Sequence, residues 1–229
     1  MKIKWLGQAG FLLETDGKKI LIDPYLSDSV RRVEPQNYRR VPVDERFLAL
    51  TPDVIVITHN HLDHLDKDTL VHYLTPDAHG LVLAPNGGWQ ELRKSFPGRT
   101  NYVLFNAGTE WTAGEVRFTA VCAEHSDPCA IGVIVSAEGR NYYFTGDTLY
   151  SERVFRSLPD LHIDVVFLPV NGVGNNMNMA DATRFAQRCE ADFAVPVHVG
   201  MFDTLAPDAF SHPGKIVPVI YQEVIIPEK

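Results

Sequence analysis

Short apolar runs separated by turn residues follow one another along the whole chain. Near the amino terminus, three such runs have the length and apolar content of β-strands. Gly7 and Gly10 lie between the first two runs, and the turn pair Asp16-Gly17 precedes the third. The pattern therefore predicts three strands joined by tight turns, over Lys2–Leu6, Phe11–Thr15 and Lys19–Ile22.

Farther along the chain, apolar runs alternate with segments of helical spacing. Val54–Thr58 is continuously apolar, as expected for a strand buried on both faces. Residues 110–145 indicate a β-meander with turns at Ala113-Gly114 and Glu138-Gly139. The other predicted elements are strands Leu81–Ala84, Tyr102–Phe105, Asp164–Val170, Phe193–Val197 and Ile216–Ile226, and helices Asp68–Leu74, Trp89–Phe96, Glu152–Leu158 and Ala180–Cys189. This order predicts an α+β fold in a single domain over residues 1–229, with two packed sheets and helices outside.

Composition and charge exclude several classes of protein. The 229 residues are 45% hydrophobic and 22% charged, which is typical of a globular domain. Asp and Glu number 29 against 21 Lys and Arg, a net charge of −8 that repels phosphate backbones, so we expect no nucleic-acid partner. No apolar run approaches the ~20 residues that span a bilayer, so we expect no membrane partner. The three cysteines form no C-x-x-C pair, and this low, odd count predicts a cytoplasmic protein.

The sequence Thr58-His59-Asn60-His61-Leu62-Asp63-His64-Leu65-Asp66 carries the strongest chemical signal. In an extended segment, residues two apart point the same way, so His59 and His61 can bind one metal ion. Asp63 and His64 can face a second ion where the chain turns toward the next helix. Imidazole and carboxylate ligands bind Zn²⁺ or Mn²⁺, and the lack of a nearby cysteine argues against a closed structural zinc site.

Two ions need further ligands from distant parts of the chain. Three candidates follow predicted strands: His125 after 116–123, Asp147 after 142–145, and His198 after Phe193–Val197. Gly146 allows the sharp turn that would present Asp147. Ligands at strand ends are expected at the carboxyl edge of a sheet, where open α/β proteins place their sites.

In this order, the H-x-H-x-D-H motif, His125, Asp147 and His198 resemble the metallo-β-lactamase superfamily, and the resemblance covers nearly the whole chain. It implies a four-layer αβ/βα sandwich with a dinuclear site at one edge. It further implies that His59, His61 and His125 hold one ion, that Asp63, His64 and His198 hold the other, and that Asp147 bridges them. Asp23 matches a family aspartate that supports the site from behind the ligands.

Within the superfamily, the first motif and Asn171-Gly172-Val173-Gly174-Asn175-Asn176-Met177 are similar to the L-ascorbate-6-phosphate lactonase group, which the resemblance associates with manganese. We therefore expect a hydrolase of esters, lactones or phosphoesters that uses a metal-bound hydroxide, with Asp63 as the candidate proton acceptor. The alternatives are a phosphodiesterase or phospholipase D-like hydrolase, a metal-binding module without turnover, and an iron-based redox protein.

Residues near the motifs are candidates for substrate contact. Asn60 lies between two ligands, and Asn171 and Asn175 follow a buried strand, although Asn also serves well in turns and helix caps. Arg31, Arg32, Arg39 and Arg40 belong to a long predicted loop and would allow an anionic small-molecule substrate, or they are simply solvated.

Overall fold

The computed structural model describes residues 1–228 and contains two six-stranded sheets. The first sheet consists, in spatial order, of β1 (Lys2–Gly7), β2 (Gly10–Thr15), β3 (Lys18–Ile22), β4 (Val54–Val56), β5 (Leu81–Ala84) and β6 (Asn101–Leu104). The second consists of β7 (Glu110–Ala113), β8 (Val116–Cys122), β9 (Ile131–Ala137), β10 (Arg140–Phe144), β11 (Val165–Pro169) and β12 (Phe193–Val197). Chain order and spatial order coincide in both sheets.

Both sheets are mixed. Strands β1 to β3 are antiparallel and β3 to β6 are parallel, whereas β7 to β10 are antiparallel and β10 to β12 are parallel. Parallel neighbours need crossover connections. Four helices lie in these connections: α1 (Lys67–Leu70), α2 (Asn86–Ser95), α3 (Glu152–Ser157) and α4 (Met179–Arg188). The crossover from β3 to β4 instead has two short 3-10 turns, Val30–Arg32 and Glu45–Phe47.

Alternation along the strands of the first sheet separates an inner face from an outer face. In β3, Ile20 and Ile22 belong to the core between the sheets, whereas Leu21 faces a second apolar cluster. That second cluster includes Leu70 of α1 and Leu92 of α2. In β10 of the second sheet, Phe144 faces Phe11 of the first sheet, whereas its neighbour Tyr143 lies against Phe185 of α4. Helices thus cover the outer side of each sheet, and the four-layer αβ/βα sandwich is confirmed.

Three aromatic rings join the two sheets at the centre of the core. Phe11 of β2 meets Phe144 and Phe167 of the second sheet edge-on, with ring centroids 4.9 Å away in both cases. Phe144 and Phe167 stack on each other at 4.3 Å. Each of the three side chains is 2% exposed or less, so this contact fixes the sheets against each other below the edge that carries the site.

The predicted strand at Ile216–Ile226 is wrong. Within the described residues, this segment makes only isolated bridges, Lys4 with Glu223 and, just before the segment, Ala194 with Lys215. Pro218 lacks a backbone donor, and Tyr221 has a positive φ of 66°, so a continuous ladder is not possible there.

The predicted helix Asp68–Leu74 is also too long. Helix α1 ends at Leu70, and the residues that follow it form mostly i to i+3 hydrogen-bonded turns. None of the helices over residues 1–228 has the length and apolar character required to cross a bilayer.

Candidate metal centre

The predicted site residues follow strands that run in the same direction. Strands β4, β8, β10 and β12 are followed by His59, His125, Asp147 and His198, respectively. The carboxyl ends of these strands meet at one edge of the sandwich, so residues far apart in sequence converge there. Gly146 has a positive φ of 59°, and a Cβ atom at this position would lie 3.0 Å from Thr58. The predicted need for glycine before Asp147 is therefore confirmed.

A first group of potential ligand atoms comprises His59, His61, His125 and Asp147. One ligand atom from each lies within 4.8 Å of the others. The three imidazole rings form a tight cluster with centroid distances of 4.7 Å for His59 to His61, 4.3 Å for His59 to His125 and 4.6 Å for His61 to His125. Three imidazoles and a carboxylate are a donor set that zinc and manganese accept.

A second group comprises Asp63, His64 and His198, and it adjoins the first through Asp147. The Oδ1 atom of Asp147 lies 3.2 Å from His64 Nε2 and 3.3 Å from His198 Nε2. The same Nε2 atom of His198 also lies 3.3 Å from Asp63 Oδ2. Asp147 is therefore the carboxylate that lies between the two groups, which is the position expected of a bridging ligand.

The buried polar atoms at the centre of the cluster fit a bound cation. The Nε2 atoms of His59, His64 and His125 and Oδ1 of Asp147 are buried without a hydrogen bond of good geometry among the described residues. Buried polar atoms are nearly always satisfied in native proteins, because desolvation without a partner is costly. Lone pairs of imidazole and carboxylate that converge in this way can be satisfied by a divalent ion.

The two groups differ in their electrostatics. Burial lowers the pKa of His59 well below its usual value, and burial also lowers the pKa of His125 to about 4. Both rings are therefore neutral at pH 7, the form in which imidazole binds metals. These two histidines are ready to bind a cation without first losing a proton.

The histidines of the second group are held in the charged form by carboxylates. Burial opposes a charge on His198, but Asp147 and Asp63 outweigh burial and raise its pKa to about 10. The same competition leaves the pKa of His64 well above its usual value, because Asp147 and Asp23 lie against it. Metal binding to the second group would therefore release protons, and we expect its metal affinity to rise with pH.

Asp23 supports the second group from behind. Its Oδ2 atom lies 2.7 Å from Nδ1 of His64, which leaves His64 Nε2 facing the cluster. Thr58 fixes the same carboxylate with two hydrogen bonds, 2.8 Å from its backbone N–H and 2.5 Å from its hydroxyl. Asp23 is fully buried and has a positive φ of 41°, a strained backbone of the kind concentrated at functional sites. A carboxylate behind a ligating histidine fixes the ring's tautomer and orientation.

Replacing Asp23 with asparagine should weaken metal binding by about 10- to 100-fold, because the orienting carboxylate behind His64 loses its charge. Competition with a chromophoric chelator would measure the affinity. Asp66→Asn is a matched control, since Asp66 is equally buried but bonds to Thr69 and caps α1. Equal metal affinity in Asp23→Asn and the parent protein would contradict this role.

Two residues that were not among the predicted site residues also contact the cluster: Gln8, and Asn176 of the motif Asn171–Met177. Gln8 Nε2 donates to Asp63 Oδ2 at 3.1 Å and lies 3.2 Å from Nδ1 of His198. Asn176 Nδ2 donates to Asp147 Oδ2 at 3.0 Å. The position of Gln8 just after β1, which runs parallel to β3, is the one signal in the sequence that could have indicated it.

The three predicted substrate-contact residues line a cleft of about 490 Å³ that opens onto the cluster. Asn171 Nδ2 lies 3.1 Å from His198 Nδ1, so this side chain also contacts a candidate ligand. Asn175 donates to the Ser126 hydroxyl at 2.9 Å. Asn60 is exposed, and its backbone N–H donates to Asp127 at 3.2 Å. Contact of these asparagines with substrate stays a prediction.

Comparison with known proteins identifies the class to which this fold and site belong. The pattern of the family described as Beta-lactamase superfamily domain matches residues 18–199, which include all the candidate ligands. The chain therefore belongs to the beta-lactamase superfamily. The metallo-beta-lactamase fold protein YhfI of Bacillus subtilis has the same fold, with a TM-score of 0.71, 15% identity, and coverage of 96% of this chain and 97% of its own.

Curated relatives define the family more narrowly. A UPF0173 protein of Pyrococcus furiosus is 31% identical over 211 residues, which cover 92% of this chain and 89% of the relative. A UPF0173 metal-dependent hydrolase of Aeropyrum pernix is 30% identical over 223 residues, which cover 90% of this chain and 86% of the relative. The chain is a member of the UPF0173 family of metal-dependent hydrolases, which confirms the prediction of an enzyme of this class.

Proposed function

We propose that the protein hydrolyses a lactone or ester bond, with a phosphoester as the alternative substrate class, at a site that holds two divalent ions. His59, His61 and His125 would hold one Zn²⁺ or Mn²⁺ ion, and Asp63, His64 and His198 would hold the other, with Asp147 available to both. The convergence of these His and Asp ligand atoms, four of them buried without a hydrogen bond of good geometry among residues 1–228, is the observation that carries the proposal.

The chain's own residues have separate tasks in this reaction. When bound, the ions would lower the pKa of water toward neutrality and polarise the substrate oxygen that gains charge. Asp63 lines the cleft and is more exposed than Asp147, with side-chain exposures of 16% and 7%. Asp63 is therefore the carboxylate that can reach the attacking water and accept its proton.

The residues around His198 keep the ligand in place during turnover. His198 has a positive φ of 63°, and the amide nitrogens Gln8 Nε2 and Asn171 Nδ2 lie 3.2 and 3.1 Å from its Nδ1 atom. These contacts on the Nδ1 side of the ring leave Nε2 facing Asp63 and Asp147.

The experiment that tests this function combines metal analysis with a substrate panel. Elemental analysis of the purified protein would be followed by chelation, reloading with Zn²⁺ or Mn²⁺, and assays on γ-lactones, p-nitrophenyl acetate and bis-p-nitrophenyl phosphate. We expect about two ions per chain and chelator-sensitive hydrolysis of the lactone or ester. His61→Ala should reduce the metal content and abolish the chelator-sensitive hydrolysis. His72 is an exposed histidine outside the site, and His72→Ala should change neither the metal content nor the hydrolysis.

Each other result has a defined meaning. Turnover of the phosphodiester alone would favour a phosphodiesterase or phospholipase D-like hydrolase. Full metal occupancy without hydrolysis of any member of the panel would favour a metal-binding module without turnover. A small-molecule substrate and a cytoplasmic location, the latter indicated by the sparse cysteines, stay predictions.

A further inference from the structure

The cleft above the candidate metal centre has apolar side chains at its mouth. Val33, Leu62 and Val173 line it and are 65%, 40% and 67% exposed, respectively. They come from three separate parts of the chain: the β3–β4 crossover, the loop that carries the histidine motif, and the turn before α4. Single exposed apolar residues are common, but three around one cleft form a surface that an apolar group of a ligand can cover.

The charged residues of the same cleft are acidic apart from the histidines. Besides Asp63 and Asp147, the cleft is lined by Glu34 and Asp203, and no Lys or Arg is among its lining residues in the described part of the chain. Glu34 is exposed at the mouth, and Asp203 is half-buried with Oδ1 accepting from the backbone of Gly200 at 2.8 Å. An anionic group bound away from the metal ions would meet carboxylates and find no cation.

Three of the four arginines in the neighbouring loop are engaged elsewhere. Arg32 pairs with Asp68 at 2.6 Å. Arg39 donates to the Tyr25 carbonyl at 2.7 Å, and Arg40 donates to the Phe202 carbonyl at 3.1 Å. None of these three arginines is among the residues that line the cleft, and of their partners named here only Phe202 lines it.

The fourth arginine is the competing candidate for an anion site. Arg31 is 64% exposed at its side chain and pairs with Asp28 only at 3.6 Å. It does not line the cleft, however, and its guanidinium lies 5.9 Å from the centroid of the Tyr38 ring. The test therefore has to include a variant of Arg31.

We propose that the substrate is a lactone or ester with an apolar substituent, uncharged or cationic away from the bond that is cleaved. The inference rests on the proposed hydrolytic function and narrows its substrate class. A lactone that carries a remote phosphate or carboxylate is disfavoured, because Glu34 and Asp203 repel it. An anion at the reaction centre itself remains compatible, since the metal ions neutralise it there.

The activity test uses one leaving group and a variable acyl chain. p-Nitrophenyl butyrate, p-nitrophenyl hemiglutarate and p-nitrophenyl 4-(trimethylammonio)butyrate present neutral, anionic and cationic ends, and each kcat/KM would be divided by the rate of alkaline hydrolysis. We expect the anionic ester to be at least about tenfold poorer than the neutral one, and the cationic ester to equal or exceed the neutral one at low salt. Fastest turnover of the anionic ester, abolished by Arg31→Ala, would overturn the inference.

Charge-changing variants test whether the cleft determines the preference for the charge of the acyl chain. Glu34→Lys should raise kcat/KM for the anionic ester and lower it for the cationic ester by about three- to tenfold each, relative to kcat/KM for the neutral ester with the same variant. Glu115→Lys is the matched control, since this exposed glutamate precedes β8, about 20 Å along the strand from the site. Equal effects of the two variants would mean that only net charge matters and would overturn the role of the cleft.

A binding measurement separates this inference from the proposed function. Three hydroxamates with neutral, cationic and anionic tails would be titrated calorimetrically into the zinc-loaded protein. Weakest binding of the anionic tail, relieved by Glu34→Lys, supports the inference even if no ester is hydrolysed, in which case the proposed hydrolysis alone fails. Tightest binding of the anionic tail overturns the inference and leaves hydrolysis standing.

Discussion

Replacing Asp147 with alanine should reduce hydrolysis by about a thousandfold or more and lower the metal content of the purified protein. Asp147 Oδ1 lies within 3.3 Å of Nε2 of both His64 and His198, and the same side chain belongs to the group of His59, His61 and His125. In the proposed dinuclear site, loss of this carboxylate would remove a ligand from both positions and the negative charge between the two cations. Steady-state kinetics with elemental analysis of the same preparation would measure both effects.

The control for this variant is Asp192→Ala. Asp192 precedes β12, at the opposite end of the sandwich from His198, and pairs with the exposed His162 at 2.9 Å. That variant should keep both its metal ions and its activity. Two bound ions and activity within tenfold of the parent in Asp147→Ala would contradict the bridging position of this carboxylate.

The strands could be predicted from the sequence because apolar runs and turn residues are local signals. β5 and β12 begin and end where the pattern places them, and the turns at Ala113-Gly114 and Glu138-Gly139 are observed. The tail over 216–226 has a similar apolar content but forms no strand. Its pairing depends on the edge of β1 and on the backbone around Pro218, which apolar periodicity does not report.

The candidate ligands could be predicted because each follows a strand, and parallel strands end at the same edge. Their supporting contacts could not be predicted in this way. Thr58 and Gln8 hold the site through hydrogen bonds to Asp23 and Asp63, partners 35 and 55 residues away in sequence. An amide or a hydroxyl is common anywhere in a sequence, and only the three-dimensional fold shows which of them contact a ligand.

The backbone conformation at the site edge is one reason why the supporting contacts could not be predicted from the sequence. Gln8, Asp23 and His198 all have positive φ values, between 41° and 63°, immediately after β1, β3 and β12. Non-glycine residues adopt this conformation at a cost, and sequence patterns do not favour it. Asp23 is held by Thr58 and His64 of its own sheet, whereas Gln8 and His198 contact each other across the two sheets, so part of the site depends on the packing of the core.

Replacing Phe11 with alanine should therefore destabilise the whole fold by about 3–5 kcal/mol, the range for a large aromatic side chain removed from a packed core. Phe11 is 1% exposed and contacts Phe144 and Phe167 across the two sheets. The cavity that remains would be bounded on the second sheet by two rings that stack on each other and cannot both move to fill it. Chemical denaturation of the metal-free variant and parent would give the difference in the free energy of unfolding.

Two comparisons make this expectation specific to the contact between the sheets. Phe11→Leu retains most of the buried volume and should cost clearly less than the alanine variant. Phe202→Ala removes the same side chain from a half-buried position near the cleft and should also cost less, because less apolar area is lost from the interior. A cost below about 1 kcal/mol for Phe11→Ala would show that the sheets do not depend on this contact. Phe11→Ala should also have a reduced metal affinity at temperatures where the variant is folded. The two results together would show that the packing of the two sheets positions the candidate ligands that each sheet carries.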